Sequence, residues 1–221
     1  MALDDAPIAQ IRDSLSSALL SDALDALGAR NHALPPSVRP LDDALVLFGP
    51  ARTALYMEVF RAEPGTNPYE LEIALIDDLK PGEVAVMACP AGDRVAPWGE
   101  LLSTAARARG AVGCVTDGLV RDVRMIHEMR FPVFAGGIGP LDSKGRGEVM
   151  RIDVPVRLGG VNVRPGDWLF GDVDGVVVLP AALVDRAVAL ALDKVAGENT
   201  VRAELEAGKS LATVFARHGI L

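Results

Sequence analysis

Two short motifs near the middle of the chain combine residue types that can bind an organic anion and a metal ion. The first, Gly99-Glu100-Leu101-Leu102, opens a predicted helix. The first N–H groups of a helix lack internal acceptors and lie at the positive end of its dipole, so they favour a carboxylate ligand. Because Gly99 has no side chain, a ligand can approach its backbone closely. The first motif therefore predicts a binding site for a small acid.

The second motif, Arg121-Asp122, supplies a cation and a hard oxygen ligand. Mg²⁺ usually takes one or two protein carboxylates and keeps several waters, so Asp122 is a candidate ligand for Mg²⁺ or Mn²⁺. Arg121 suits the oxygen of a 2-oxo acid. Together they are suited to stabilising an enolate, and Glu100 is expected to hold a water molecule of the metal. An adjacent Arg-Asp pair is also a common solvated pair, so spacing alone leaves both interpretations open.

The elements between the two motifs are expected to bring them together. A helix is predicted from about Gly99 to Arg109, ended by Gly110, and a buried strand over residues 112–116 returns the chain. Arg121-Asp122 then follows the carboxyl end of that strand, which is the edge where open α/β sheets bind ligands. The helix start and the Arg-Asp pair should therefore lie side by side.

Periodicity and turn residues predict the remaining elements. They are a helix over 8–27 ended by Gly28, a strand over 53–60, a helix capped by Asn67 and ending at 80–82, a strand over 84–89, a short helix after Asp122 through Met129, a strand over 131–134, a glycine-rich loop over 136–147, short strands over 149–179, and C-terminal helices with breaks at Gly197 and Gly208. This order predicts an α/β core with a β-rich second layer. We expect one domain over 1–221, with a helical extension from about 181.

Composition excludes several classes of function. The chain has 221 residues and a formal net charge of −8, without the clustered Lys and Arg of a nucleic-acid-binding surface. No apolar run approaches the ~18 residues of a membrane span, and no basic leader precedes an apolar stretch. Cys89 and Cys114 lie in apolar runs without a CxxC partner, which predicts two buried thiols. We therefore expect a cytoplasmic protein that binds neither nucleic acid nor membrane.

At the two motifs the sequence resembles the RraA-like family, which includes the class II 4-hydroxy-4-methyl-2-oxoglutarate / 4-carboxy-4-hydroxy-2-oxoadipate aldolases. Three blocks carry the resemblance, which covers nearly the whole chain. They are WGELLSTAARARGAVGCVTDGLVRD at 98–122, FPVFAGG with VPVRLGGVNVRPGDWLFGDVDGVVVLP between 131 and 180, and the weaker SDALDALG at 21–28.

The resemblance implies a swivelling β/β/α domain, with a mixed β core flanked by helices, in homotrimers or hexamers with active sites between subunits. It implies that pyruvate lies against the backbone of Gly99 to Leu102, that Arg121 contacts the pyruvate oxygen, and that Asp122 binds the metal. The acidic residue at the position of Glu100 is linked in the family to metal-bound water.

A glutamate from the neighbouring subunit completes the site of these aldolases. Glu198 is the residue that the resemblance assigns to this role, with Glu204 and Glu206 as alternatives, because the flanking sequence diverges. The tail LATVFARHGIL also departs from the tails of these aldolases, which leaves the aldol substrate open.

The resemblance therefore implies a carbon–carbon lyase that cleaves 4-hydroxy-2-oxo dicarboxylic acids to pyruvate and a second oxo acid. Oxaloacetate decarboxylation is expected as a side activity, because both reactions pass through the pyruvate enolate. Only the cleavage needs a base for the 4-hydroxyl proton. The alternative is a regulator that binds and inhibits a ribonuclease, which would not need Asp122. The natural substrate and the metal stay open.

Three other features are interpreted as structural. The segment GGIGPLDSKGRG lacks the GK[ST] of a phosphate-binding loop, so it is predicted to be a plain loop. Residues 172–175 lack the spacing of a calcium-binding EF-hand, so we expect a β-turn. His32, His127 and His218 are far apart in the sequence and are assigned to surface or structural positions.

Overall fold

The computed structural model describes residues 8–89 and 94–220. Seven helices lie within these ranges: α1 (Ile8–Ser14), α2 (Ser17–Ala26), α3 (Glu70–Asp77), α4 (Glu100–Ala108), α5 (Val123–Met129), α6 (Val184–Glu206) and α7 (Leu211–His218). Twelve strands accompany them: β1 (Arg39–Pro40), β2 (Leu47–Glu58), β3 (Val84–Ala88), β4 (Gly113–Thr116), β5 (Leu119–Val120), β6 (Val133–Ala135), β7 (Gly137–Ile138), β8 (Gly147–Ile152), β9 (Val156–Leu158), β10 (Val161–Val163), β11 (Trp168–Asp172) and β12 (Gly175–Leu179).

A mixed sheet in the order β1-β6-β4-β3-β2-β11-β12 forms the centre of the fold. Strands β2, β3, β4 and β6 are parallel, whereas β11 and β8 pair antiparallel to the first and second halves of β2. All five residues of β3 are buried, as expected for a parallel strand that is covered on both faces. Short pairs β9–β10 and β5–β7 complete the β structure.

The two faces of the sheet bury different partners. Alternate residues of β2 and β3, such as Leu47 and Val84, pack against β9 to β12 in an all-β core. On the other face, helices α3 to α5 cover one half of the sheet, and helices α1, α2 and α6 cover the other half. This arrangement is the predicted mixed β core flanked by helices, and the fold prediction is confirmed. None of the helices that the structure describes is long and apolar enough to cross a membrane.

The N-terminal helix predicted over 8–27 is wrong, because two helices occupy this segment. Ser16 has extended backbone angles, and its side chain accepts a hydrogen bond from the Leu19 N–H, which starts α2. Gly28 ends α2 with a positive φ of 84°, as predicted. The predicted start of α3 at Asn67 is also wrong, because the helix begins three residues later. Asn67 Oδ1 accepts from the Tyr69 N–H at 3.1 Å in a turn, and the helix begins at Glu70.

The predicted break at Gly197 is wrong, since α6 runs through this residue without interruption. A glycine inside a helix costs only about 1 kcal/mol relative to alanine, which tertiary packing can offset. A Cβ at position 197 would lie 2.5 Å from the Cδ1 of Ile220, so the small residue lets the C-terminal segment pack against α6. The second predicted break is confirmed, because α6 ends directly before Gly208, whose φ is 83°.

The segment 136–147 is not wholly a loop, because Gly137–Ile138 pair with β5. The β-turn at 172–175 is confirmed as the connection of the β11–β12 hairpin. Cys89 and Cys114 are both buried, as predicted. His32 is buried and bonds to Ser21 and to the Ala29 carbonyl, which is a structural role.

Candidate active site

A cavity of about 330 Å³ lies where the two predicted motifs meet. Four segments of the chain form its walls: helix α3, the residues that lead into α4, the residues that follow β5, and the loop before β8. The residues that line it are Tyr69, Glu72, Ile73, Ala96, Trp98, Gly99, Leu101, Leu102, Arg121, Asp122, Asp142 and Ser143. The structure therefore brings Gly99 to Leu102 and Arg121-Asp122 into one site, as the order of the elements predicted.

Backbone pairing and a buried indole hold the two motifs side by side. The Arg121 N–H donates to the Trp98 carbonyl at 3.0 Å, which extends the pairing of Trp98 with Val120. The Trp98 Nε1–H donates to Ser103 Oγ, and this hydroxyl donates to the Gly99 carbonyl at 2.9 Å. These contacts fix the start of α4 against Arg121, and the N–H groups of Leu101 and Leu102 remain first-turn amides without an acceptor in the helix.

Gly99 leaves space for the Arg121-Asp122 pair, which its sequence context did not show. A Cβ at this position would lie 2.7 Å from Asp122 Oδ2 and 3.2 Å from Arg121 Cγ. The backbone here is extended, with a φ of −158°, so conformational freedom is not the cause. The glycine makes room for the Arg-Asp pair itself, which allows this pair to lie directly against the helix start.

Asp122 begins α5 in the left-handed conformation, with a φ of 57°. Its Oδ2 accepts the Glu100 N–H at 3.3 Å and lies 3.7 Å from Arg121 Nε. Its Oδ1 has no hydrogen bond to any residue that the structure describes. Asp is among the non-glycine residues that adopt this conformation most readily, and Arg130 and Asp153, which lie outside the cavity, adopt it as well.

The donor set around Asp122 fits a hydrated hard cation. Within 8–89 and 94–220, no group of three or more His, Cys, Asp or Glu residues is arranged to hold a metal ion. Mg²⁺ and Mn²⁺ need only one or two protein carboxylates and keep several waters, so Asp122, whose Oδ2 accepts only the Glu100 N–H among the described residues, is the residue that could hold such a cation. Glu100 is half-buried, and its Oε1 accepts a hydrogen bond from the Thr104 hydroxyl at 2.8 Å.

Arg121 lies between two carboxylates at the cavity wall. Its Nη1 is 3.3 Å from Asp142 Oδ1, and the Tyr69 hydroxyl donates to Asp142 Oδ2 at 2.7 Å. Burial and this hydrogen bond raise the pKa of Tyr69 to about 12. Burial acts to raise the pKa of Asp142, but the Tyr69 hydrogen bond and the Arg121 charge outweigh it, so the pKa is lowered. The phenol therefore keeps its proton, and Asp142 is ionised at neutral pH.

Glu72 is a buried carboxyl group in the same cavity. It is 7% exposed, and the Tyr56 hydroxyl donates to its Oε2. Burial and, to a lesser extent, the nearby Asp142 charge raise the pKa of Glu72 from 4.5 to about 8, against the opposing effect of Arg121. Glu72 is therefore mostly protonated at neutral pH.

The motifs in the sequence did not predict Tyr56, Tyr69, Glu72 or Asp142 as parts of the site. A signal for Glu72 exists, because it shares the apolar face of α3 with the residues at i+3 and i+4, Leu75 and Ile76. A carboxylate on a buried helix face is unusual unless it is paired. Asp142 lies in the glycine-rich segment 136–147, where no local sequence pattern distinguishes it from its neighbours.

Glu198 does not line the cavity of its own chain. It lies on α6, which packs on α2 on the other half of the sheet, and its carboxylate is 3.9 Å from Lys194 Nζ and 4.0 Å from an Arg202 nitrogen. The alternative candidate Glu204 is engaged by Lys209, Arg217 and His218. A role for Glu198 at this site therefore requires a second copy of the chain, as the resemblance implied.

Comparison with known proteins identifies the family. A protein from Halalkalibacterium halodurans, provisionally named 4-hydroxy-4-methyl-2-oxoglutarate aldolase, is 33% identical over 86% of this chain and 84% of that protein. The Legionella pneumophila protein DlpA is 32% identical over 89% of this chain, which spans only 31% of that longer protein. The crystal structure of Streptomyces coelicolor RraAS2, an unusual member of the RNase ES inhibitor RraA protein family, matches with a TM-score of 0.77 at 29% identity, over 89% of this chain and 97% of that one.

The family model described as Aldolase/RraA matches residues 17–178. This range contains all the cavity-lining residues named above. It ends within β12, before the helix that carries Glu198. With a match over most of its length, the chain belongs to the RraA-like Aldolase/RraA family.

Proposed function

We propose that this chain is a divalent-metal-dependent class II pyruvate aldolase. It cleaves 4-hydroxy-2-oxo dicarboxylic acids of the 4-hydroxy-4-methyl-2-oxoglutarate type to pyruvate and a second oxo acid. One observation carries the proposal: a single cavity brings together the first-turn amides of α4, the Arg121 guanidinium and an Asp122 oxygen without a hydrogen bond to the described residues. The similarity to the protein of Halalkalibacterium halodurans supports it.

Different residues of the cavity bind different groups of a 2-oxo acid. The N–H groups of Leu101 and Leu102 at the start of α4 bind the substrate carboxylate. Arg121 donates to the 2-oxo oxygen, where negative charge develops. Asp122 would hold the divalent cation, and Glu100 would bind a water molecule of its coordination shell. When bound, the cation supplies further stabilisation of the charge on the 2-oxo oxygen.

The cleavage needs one base and produces one enolate. Glu198 of a neighbouring subunit removes the 4-hydroxyl proton, the C3–C4 bond breaks, and C4 leaves as the carbonyl carbon of the second oxo acid. The electron pair of the broken bond remains on the pyruvate fragment as its enolate, which Arg121 stabilises. Oxaloacetate decarboxylation gives the same enolate without a hydroxyl proton to remove, so we include it as a side activity.

The proposal includes an assembly of three or six copies with sites between subunits. Two exposed apolar side chains beside the Arg121-Asp122 pair support it: Leu101 is 76% exposed and Ile138 is 67% exposed. A second copy of the chain that covered Leu101 and Ile138 would remove this apolar surface from water.

A coupled assay tests the activity and its dependence on metal. The purified protein with Mg²⁺ is given a panel of 4-hydroxy-2-oxo acids and oxaloacetate, and pyruvate is detected with lactate dehydrogenase. We expect pyruvate release that EDTA and Asp122→Asn abolish, whereas Asp43→Asn, in an exposed turn, leaves it unchanged. Pyruvate release that persists in EDTA would contradict the metal-dependent mechanism.

Substitution of Glu198 separates the two reactions. Glu198→Ala should abolish aldol cleavage and spare oxaloacetate decarboxylation, because only the cleavage needs a base for the 4-hydroxyl proton. Equal loss of both activities would refute this assignment.

The likeness to RraAS2 supports one other candidate function, a ribonuclease regulator. A regulator would act through its outer surface and would not need Asp122. Absence of pyruvate release from every substrate, together with inhibition of a ribonuclease that survives Asp122→Asn, would favour this function over the aldolase.

A further inference from the structure

We propose that Glu72 is the catalytic acid that converts the pyruvate enolate into pyruvate. This inference rests on the proposed function and adds a step that the Gly99–Leu102 and Arg121-Asp122 motifs do not provide. After the C3–C4 bond breaks, the proton of the Glu72 carboxyl passes to C3, and the electron pair of the enolate forms the new C3–H bond. The resulting Glu72 carboxylate regains a proton from solvent, so no other reactant is needed.

The position of Glu72 supports this role. It lines the cavity from α3, whereas the first-turn amides and Arg121 line it from α4 and the segment after β5. The Tyr56 hydroxyl holds Oε2, so Oε1 is the carboxyl oxygen without a hydrogen bond to the residues that the structure describes. A substrate whose carboxylate and 2-oxo oxygen are held by α4 and Arg121 can therefore present C3 to the carboxyl on α3.

The electrostatics of the cavity single out Glu72 among its described ionisable groups. Arg121 is permanently charged, Tyr69 keeps its proton because its pKa is about 12, and the pKa of Asp142 is lowered so that it stays ionised. Asp122 is assigned to the cation. Glu72, with a pKa of about 8, carries a proton at neutral pH and can release it, which is the requirement for a general acid near its working pH.

A different role for Glu72 would be to anchor Tyr56 in the core. A glutamine has the same shape, and its amide oxygen accepts the Tyr56 hydroxyl equally well, but it cannot transfer a proton. Glu72→Gln therefore separates the two roles. Glu70→Gln is a matched control, because Glu70 lies on the same helix and is exposed.

Exchange of the pyruvate methyl protons in D₂O measures this step alone. Each enzyme is incubated with pyruvate and Mg²⁺, and loss of the methyl signal is followed by ¹H NMR. In the reverse direction the Glu72 carboxylate removes the C3 proton, so exchange does not involve Glu198. We expect Glu72→Gln to slow exchange by at least ~100-fold, the usual contribution of a general acid or base. Pyruvate affinity, measured as inhibition of cleavage, should change by less than about threefold, and Glu70→Gln should match the wild type.

Two further measurements exclude a merely structural effect. In the wild type, kcat for pyruvate release should fall as pH rises through about 8, and Glu72→Gln should lack this decrease. Tyr56→Phe removes the phenol but keeps the acid, so it should slow exchange less than Glu72→Gln. Equal slowing in both variants, or a wild-type profile without the decrease, would overturn the proposal.

The outcomes distinguish the inference from the proposed function. Wild-type pyruvate release together with undiminished exchange in Glu72→Gln would refute the role of Glu72 and leave the aldolase intact. Absence of both pyruvate release and exchange in the wild type would refute both.

Discussion

The buried carboxyl of Glu72 should make the folding stability of this protein depend on pH in a predictable direction. Its pKa is about 8 in the folded chain and 4.5 when the group is in water. A carboxyl whose pKa is raised by folding contributes stability fully below about pH 4.5, and this contribution is lost as pH rises through about 8. Glu72→Gln removes the titration and keeps both the shape of the side chain and an acceptor for Tyr56.

The size of the effect follows from the two pKa values. Between them, each pH unit destabilises the folded wild type relative to Glu72→Gln by about 1.4 kcal/mol. The full interval corresponds to on the order of 5 kcal/mol, which is comparable with the whole stability of many domains. Glu72→Gln should therefore become progressively more stable than the wild type as pH rises from about 5 to about 8.

Urea unfolding followed by circular dichroism measures this difference. Both proteins are studied at several pH values without pyruvate or divalent cations, and at one protein concentration, because assembly would shift apparent stability. The other ionisable groups are the same in both proteins, so their contributions cancel in the difference between the two unfolding free energies. Glu70→Gln should show no such slope relative to the wild type. A constant difference between Glu72→Gln and the wild type from pH ~5 to ~8 would mean that Glu72 ionises as it does in water, and would refute the burial argument.

Three other substitutions test the packing around the site and the core. Gly99→Ala places a Cβ 2.7 Å from Asp122 Oδ2 and should displace this carboxylate. Because small displacements of catalytic groups greatly reduce the rate, pyruvate release should fall by about 100-fold with little change in melting temperature. Unchanged activity would contradict this prediction. A Cβ at position 171 would lie 2.8 Å from the ring of Phe134, so Gly171→Ala should lower the free energy of unfolding by about 1–3 kcal/mol. Superimposable melting curves of this variant and the wild type would contradict the prediction. Arg52→Leu removes the cation shared by Asp78, Glu83 and Asp153 and should lower the unfolding free energy measured in urea, since the Arg52 side chain itself is only 13% exposed. An unchanged unfolding free energy would mean that these ion pairs are solvated and contribute nothing.

The sequence by itself was sufficient to predict the strand–helix–strand unit that carries the two motifs. Apolar periodicity and glycines at 99 and 110 mark the ends of α4, and β4 returns the chain over a short distance. A helix packed on a neighbouring strand must bring its start near the end of that strand. The meeting of Gly99 with Arg121-Asp122 therefore follows from local order. The resemblance to the aldolases then assigned roles to these residues.

Some helix boundaries were not predictable because tertiary contacts decide them. Ser16 starts a second helix inside a segment with continuous helical periodicity. Gly197 is accommodated within α6, where the C-terminal Ile220 packs against it. Local propensity differs between such alternatives by about 1 kcal/mol, which packing readily exceeds.

Only the tertiary structure placed Glu72, Tyr56, Tyr69 and Asp142 in the cavity. Tyr69 and Asp142 are 73 residues apart in the sequence, and their hydrogen bond exists because α3 and the loop before β8 pack on the same half of the sheet. The pKa of Glu72 likewise depends on burial, which no single residue type specifies. The sequence thus determined that the start of α4 and the Arg121-Asp122 pair meet in one site, whereas the fold decided which carboxyl group in that site retains a proton.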